Sequence, residues 1–113
     1  MVMVETIKLD ELRTMSTKMS EPMVKGVVDV VLRKLVVDAG LHSDEEFFLP
    51  ELGSEQENLW GINLWPEYYG TDDFIVFDSM INIRPMQNNR SRSVEDEEMQ
   101  RLIKEIVREK VYE

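Results

Sequence analysis

The sequence contains no cysteine, a single histidine and no long apolar run. The lack of cysteine excludes disulfides, thiolate metal sites and a cysteine nucleophile. No apolar stretch approaches the roughly 20 residues that a membrane-spanning helix needs. The N-terminal stretch MVMVETIKLDEL lacks the basic and apolar regions of a signal peptide and contains acidic residues early. We therefore expect a cytoplasmic protein with no membrane partner.

Basic residues are also scarce in this sequence. Lysine and arginine are absent between Lys34 and Arg84, although that interval is rich in acidic residues, and the net charge is −10. Because such a surface repels phosphate backbones, we expect no duplex nucleic acid as a partner. Solubility alone is a sufficient reason for these charges, and basic proteins or cations would also fit them. Whether the acidic run over residues 38–78 binds divalent cations stays open.

The single histidine, His42, stands before three acidic residues, Asp44, Glu45 and Glu46. Histidine with carboxylates can hold a divalent metal or act as a general acid and base. One histidine without cysteine is too few nitrogen and sulfur ligands for a structural zinc site, and no stretch matches an EF-hand loop. The simpler interpretation is a capping box in which Ser43 caps a helix and Glu46 lies three residues on. No metal site and no cofactor are predicted.

Periodicity predicts most of the secondary structure. Apolar residues at three- and four-residue spacing indicate a helix over residues 9–19. Two β-branched runs indicate a hairpin over residues 24–40, although a single helix over residues 24–37 is the alternative. The runs NLWGINLW and FIVFDSMINIRP, residues 58–65 and 74–85, indicate two further strands.

Two more helices complete the predicted fold. A short helix beginning at Ser43 should end near Pro50 and Gly53, and a C-terminal helix should begin at Ser93. The fold class is therefore α+β, in a single domain over residues 1–113. We predict a four-stranded, mainly antiparallel sheet with the N-terminal and C-terminal helices packed on one face and the short helix between the two hairpins.

Polar residues of the last predicted strand point to a candidate site. Strand alternation places Asp78, Asn82 and Arg84 on one face, where Asn63 of the preceding strand would join them. The loop RPMQNNRSRS follows, and it is the one basic stretch in the acidic part of the chain. Guanidinium groups bind carboxylate or phosphate with paired hydrogen bonds. The predicted ligand-binding residues are Asn63, Asp78, Asn82, Arg84, Asn89, Arg90 and Arg92.

A second interpretation of the same residues is structural. The arginines would pair with the acidic residues at the start of the C-terminal helix, and the polar strand face would be a solvated outer face of the sheet. Motifs for nucleophilic or phosphate chemistry are missing: there is no Gly-rich phosphate loop, and neither Ser79 nor Ser91 has an evident base partner.

Several stretches resemble a known family. LHSDEE, LWGINLWP, DSMINIRPMQNNRSR and VEDEE are similar to the corresponding stretches of a small prokaryotic family of uncharacterised proteins, catalogued as a domain of unknown function. The resemblance spans the chain from KLDEL to the last helix. Trp65 and Asn88 stand where the family pattern has a tyrosine and a glycine. The resemblance implies no activity, substrate or catalytic residue.

These observations lead to two functional hypotheses. The first is a binding or interaction domain that receives a small anionic ligand at the Arg84–Arg92 loop and self-associates as a homo-oligomer, a dimer. The alternative is a small enzyme that acts on a phosphorylated or carboxylated metabolite, with Asp78 as base or metal ligand. No catalytic residue is assigned from the sequence.

Overall fold

A computed structural model describes residues 1–113 and contains seven strands and three helices. The strands are β1 (Val2–Val4), β2 (Ile7–Lys8), β3 (Val24–Asp29), β4 (Lys34–Val37), β5 (Leu59–Leu64), β6 (Ile75–Val76) and β7 (Val111–Tyr112). The helices are α1 (Leu9–Ser16), α2 (His42–Glu51) and α3 (Glu97–Lys110). None of the helices has the length and apolar composition needed to cross a bilayer.

The main sheet has five strands in the order β1-β4-β3-β5-β6, and every neighbouring pair is antiparallel. This confirms the α+β class and the mainly antiparallel sheet. It also confirms the hairpin of β3 and β4, because β-branched runs favour strands over the alternative helix. The prediction of four strands is wrong, since the short β1 adds to the edge beside β4. A separate parallel pair joins β2 to β7.

One face of the sheet carries α1 and α3. Leu12 of α1 and Ile103, Ile106 and Val107 of α3 are completely buried there. They pack against the alternate residues of the strands that point to this side, namely Val24, Val28, Leu35, Val37, Trp60, Ile62 and Leu64. The apolar face of the C-terminal helix therefore packs into the core.

The second face of the sheet is covered rather than solvated. Val27, Val36 and Leu59 of the strands are completely buried against Leu49 of α2, with Ile81 packed beside them. The short helix, which was predicted only to lie between the two hairpins, covers this face, so the face is not the solvated outer surface of the structural interpretation. The physical reason is that β3 and β4 carry apolar side chains on both faces, and the second apolar face also requires a cover.

Two predicted helix caps are wrong. Helix α2 begins at His42, one residue before Ser43, and no side chain caps it. Helix α3 is capped by Asp96, whose side chain accepts the backbone N–H of Glu98 at 2.9 Å. Ser93 instead belongs to the preceding loop, where its carbonyl accepts a hydrogen bond from the side chain of Asn89.

The last predicted strand is also much shorter than expected. Strand β6 ends at Val76, and the chain then forms two 3-10 turns, Met80–Asn82 and Pro85–Gln87. The first turn lies directly against β5. A Cβ added at Gly61 would lie 2.5 Å from the Cβ of Ser79 and 2.6 Å from its Oγ. Glycine at position 61 thus allows the segment to approach β5 closely.

We expect Gly61→Ala to destabilise the fold by roughly 1–3 kcal/mol, because the new methyl group overlaps Ser79 and must push the segment away. Urea unfolding followed by circular dichroism measures this change. Gly40→Ala is the matched control, since a Cβ there meets no atom within 4 Å. Equal losses in the two variants would contradict close packing at Gly61.

Helix α2 contains a buried carboxyl group. Glu45 is completely buried, and neither of its carboxyl oxygens forms a hydrogen bond. Burial raises the pKa of Glu45 to about 10, so the side chain is protonated in the folded protein at neutral pH. In the unfolded chain the same group ionises near its ordinary pKa. Folding therefore takes up a proton over the range between these two values.

Glu45 should make stability fall as the pH rises. The contribution of protonated Glu45 to the free energy of unfolding is complete below the unfolded pKa of 4.5. It is lost progressively between pH 4.5 and about 10. Because an uncharged amide has no such dependence, Glu45→Gln should gain about 3 kcal/mol relative to the parent at pH 7 and nothing at pH 4. Unfolding free energies at several pH values test this. The exposed Glu51→Gln on the same helix should leave the pH profile unchanged.

Candidate functional site

Some of the predicted site residues stabilise the fold, and Asn82 is the first of them. Asn82 is completely buried, and its amide group pairs with the edge of β5. Its Oδ1 accepts the N–H of Gly61 at 2.8 Å, and its Nδ2 donates to the Gly61 carbonyl at 2.9 Å. Nδ2 also donates to the Arg92 carbonyl at 3.0 Å. One side-chain amide thus replaces the strand that β6 is too short to provide.

Arg84 is a second scaffold residue. Its guanidinium lies 4.3 Å from the ring centroid of Trp60, a cation–π contact. The guanidinium donates to the carbonyls of Ile81 and Gln56 at 3.0 Å and also to the carbonyl of Leu59. Burial lowers the pKa of Arg84, but the guanidinium stays charged, and the carbonyls accept hydrogen bonds from its N–H groups. The side chain is therefore committed to acceptors within the chain.

Asn89 organises the loop that follows. Its Nδ2 donates to the carbonyls of Asn82 and Ser93, both at 2.7 Å, and its Oδ1 accepts the N–H of Glu95 at 2.9 Å. The residue before it, Asn88, adopts a left-handed backbone with φ of 61°, which asparagine tolerates well. The side chain of Asn89 thus holds the loop in place.

An acid of the chain occupies the backbone donors of this loop. The Oε2 atom of Glu95 accepts the N–H groups of Arg90 and Ser91, both at 2.8 Å. Hydrogen bonds from Ser91 and from the Arg90 backbone hold the pKa of Glu95 below its usual range. The structural interpretation expected arginine side chains as the partners of these acids, whereas the partners of Glu95 here are backbone N–H groups. The side chain of Arg90 is exposed and makes no hydrogen bond.

Arg92 differs from the other arginines because it reaches a groove on the second face. Its Nε lies 2.7 Å from Oδ1 of Asp78, and both side chains are about half exposed. The groove has a volume of about 650 Å³ and lies between the start of α2 and the segment after β6. We call it the second-face groove. Its polar lining includes Lys25, His42, Asn63, Asp78 and Arg92.

The base of the second-face groove has an acceptor without a partner. Asn63 is only 6% exposed, and its Nδ2 donates to the Asp78 carbonyl at 3.2 Å. Its Oδ1 is buried and accepts no hydrogen bond. Buried polar atoms in native proteins almost always have a partner, so this oxygen marks a position where a donor is missing.

His42 lies beside Asn63 and is held in one orientation. Its Nε2 lies 2.7 Å from the Ile62 carbonyl, which can only accept, so Nε2 carries a proton and donates it. Burial is the largest influence on the ring and lowers the pKa of His42, while the Asn63 side chain favours the protonated form. Because the pKa of His42 is lowered, the neutral ring is the main form at pH 7, and its Nδ1 is a hydrogen-bond acceptor.

Lys25 supplies a second cation. It is the register partner of Asn63 on the neighbouring strand, and strand alternation directs it to the same face. It is half-buried and forms no ion pair. Its positive charge disfavours protonation of His42 and favours ionisation of Glu45. The groove thus contains two cations, the carboxylates of Asp78 and Glu21, and the unpaired acceptor of Asn63.

The structure places six of the seven predicted site residues in two groups and leaves Arg90 apart. Asn63, Asp78 and Arg92 meet in the second-face groove. Asn82, Arg84 and Asn89 hold the loop and the β5 edge. The common strand face that was predicted for Asp78, Asn82 and Arg84 is wrong, because the strand ends at Val76. Arg90 lies on the exposed loop surface.

Sequence reasoning missed the roles of Lys25 and His42. His42 was considered only with the acids that follow it, whereas its structural partners lie about twenty residues away in the chain. One signal was available: if β3 and β5 pair as antiparallel strands, Lys25 lies opposite Asn63. No group of three or more histidine and carboxylate side chains is placed to hold a metal ion.

The fold and the groove define a small α+β domain with a polar groove between its second-face helix and the segment after β6. Residues 1–110 match the family described as "Protein of unknown function (DUF5674)", and the chain belongs to that family. This confirms the resemblance to a family of unknown function. No curated protein and no solved structure matches the chain.

We expect Arg84→Lys to destabilise the protein by about 1–3 kcal/mol, because an ammonium group cannot serve three separate carbonyls in one plane and leaves buried acceptors unpaired. Chemical denaturation measures the change. The control is Arg90→Lys, which should change stability by less than about 0.5 kcal/mol because its side chain is exposed. Unchanged stability in Arg84→Lys would contradict the scaffold role and leave the guanidinium available for a ligand.

Proposed function

We propose that this protein is a binding domain that receives a small anionic molecule in the second-face groove, where Lys25 and Arg92 contact the anion. The observation that carries the proposal is Lys25. In a chain with 23 acidic and 13 basic residues, this half-buried lysine lines the groove without an ion pair. Burial removes hydration from a charged group, so an unpaired cation in a groove favours an anionic partner.

The second cation supports the same proposal. Arg92 is on the rim and shares Asp78 through a half-exposed ion pair. Such a pair contributes only about 0–1 kcal/mol, so the guanidinium can turn to a ligand at little cost. The remaining guanidinium donors suit a carboxylate or phosphate group.

The size of the groove favours a small molecule. Its volume of about 650 Å³ lies within the range of ligand sites in proteins, and Trp65, Met23 and Met80 add apolar surface to its walls. Of the arginines in the Arg84–Arg92 loop, the proposal keeps only Arg92 as a contact of the anionic ligand. It adds Lys25 as a second contact. Self-association as a dimer and the alternative of a small enzyme stay predictions from the sequence.

Removing either cation should weaken anion binding. We expect Lys25→Ala and Arg92→Ala each to raise the Kd for acetate and inorganic phosphate about tenfold, because a charge-assisted hydrogen bond contributes about 1.5–3 kcal/mol. Chemical shift changes of backbone amides during titration report both the affinity and the position of the bound anion. Arg92→Ala should leave stability almost unchanged.

Arg90→Ala is the matched control for this experiment. It removes the same charge from the same loop, but its side chain does not line the groove. It should leave the Kd unchanged. Equal weakening by Arg90→Ala and Arg92→Ala would show that anions bind only through the general charge of the loop. No amide shift change near Asn63 with either anion in the parent protein would contradict the proposed function.

A further inference from the structure

The second-face groove needs hydrogen-bond donors as well as an anion. Oδ1 of Asn63 is a buried acceptor with no partner. His42 is 8% exposed and also lines the groove. Its Nε2 proton is committed to the Ile62 carbonyl, so the neutral ring offers only a lone pair at Nδ1. The Asn63 oxygen and this lone pair of His42 are both acceptors and cannot bond to each other, and no donor of the chain contacts the Asn63 oxygen.

Charges of both signs surround these acceptors. Asp78 and Glu21 line the groove together with the two cations, Lys25 and Arg92. A simple anion would satisfy the cations but would face the carboxylates and leave both acceptors unpaired. A primary ammonium group carries three donors and a positive charge, so it can serve the acceptors and the carboxylate of Asp78 at the same time.

We propose that the ligand of this groove is a small zwitterion of the amino-acid class, with a primary ammonium group next to a carboxylate. The ammonium group donates to Asn63 and His42 at the base of the groove, and the carboxylate contacts Lys25 and Arg92. The apolar walls at Trp65 and Met23 accommodate an aliphatic side chain. This inference rests on the proposed function, because it names the chemical class of the molecule bound at the same site.

Three ligands with one carbon skeleton separate the contributions of the amine and the carboxylate. L-leucine, the corresponding α-hydroxy acid and the corresponding unsubstituted carboxylate are titrated into the full chain, and amide shift changes give each Kd. We expect L-leucine to bind at least about tenfold more tightly than the unsubstituted carboxylate, with the hydroxy acid between them, because the three ligands offer different numbers of donors.

A substitution at Asn63 tests whether this residue causes the preference for a ligand with an amine. Asn63→Ala removes the unpaired acceptor and should bring the affinities of L-leucine and the unsubstituted carboxylate within about twofold, while the Kd of the carboxylate stays as in the parent. If the variant fails to fold, the ratio of the two affinities in the parent protein still decides the inference. Arg90→Ala, outside the groove, should keep the full selectivity for the amine.

The possible results distinguish the two proposals. Equal binding of the three ligands would overturn the zwitterion and leave the anion site standing. Binding of L-leucine alone would support the zwitterion, whereas binding of none of the three would overturn the zwitterion, and the titrations with acetate and phosphate then decide whether the anion site stands. Ring nitrogen chemical shifts of His42 give an independent check. A doubly protonated ring at pH 7 without ligand would overturn the inference, because its Nδ1–H would already supply the donor.

Discussion

The unpaired edge of β5 is the constraint on which the second half of the structure depends. Strand β6 pairs only with Asn63 and Leu64, so the backbone of Leu59 and Gly61 faces an open edge. An open edge leaves hydrogen-bonding groups unsatisfied and exposes the sheet to other chains. The amide of Asn82 and the guanidinium of Arg84 fill these positions. Side chains thus complete the sheet where a strand does not.

The position of the groove follows from that closure. Because Asn82 and Arg84 bind the segment after β6 to the β5 edge, Ile81 of this segment covers part of the second face beside α2. Asp78 and Arg92, at the two ends of this segment, are brought together above Asn63. The scaffold residues therefore determine where the candidate ligand residues meet, although they do not line the groove themselves.

The second face also contains polar groups that lower stability. Glu45 is buried without hydrogen bonds, and Asn63 has a buried acceptor that is not satisfied. Groups of this kind destabilise a small domain, because each loses its hydration on folding without gaining a partner. Perturbed ionisable groups and unpaired polar atoms occur more often at functional sites than elsewhere. Of these two residues, Asn63 lines the second-face groove and Glu45 does not.

Local sequence patterns were enough to predict the β3–β4 hairpin and helix α3. The β-branched runs indicated the hairpin of β3 and β4, and the apolar stripe that includes Ile103 and Ile106 indicated α3. The helix starts were predicted wrongly at Ser43 and Ser93, because several residues near each start can act as caps. At α3 the choice of Asp96 follows from the contacts of Asn89, which hold the preceding chain in a loop.

Composition and local patterns were enough to predict the α+β class, the antiparallel hairpin, the excess of acidic residues and the stretch that contains Asn82, Arg84 and Arg92. Which of these residues hold the fold and which line a groove depends on tertiary contacts. Asn82 finds its partner 21 residues away, and His42 finds its own at a distance of 20 residues. Periodicity describes neighbours along one helix or strand, whereas these contacts depend on how separate elements pack, and no local pattern specifies that.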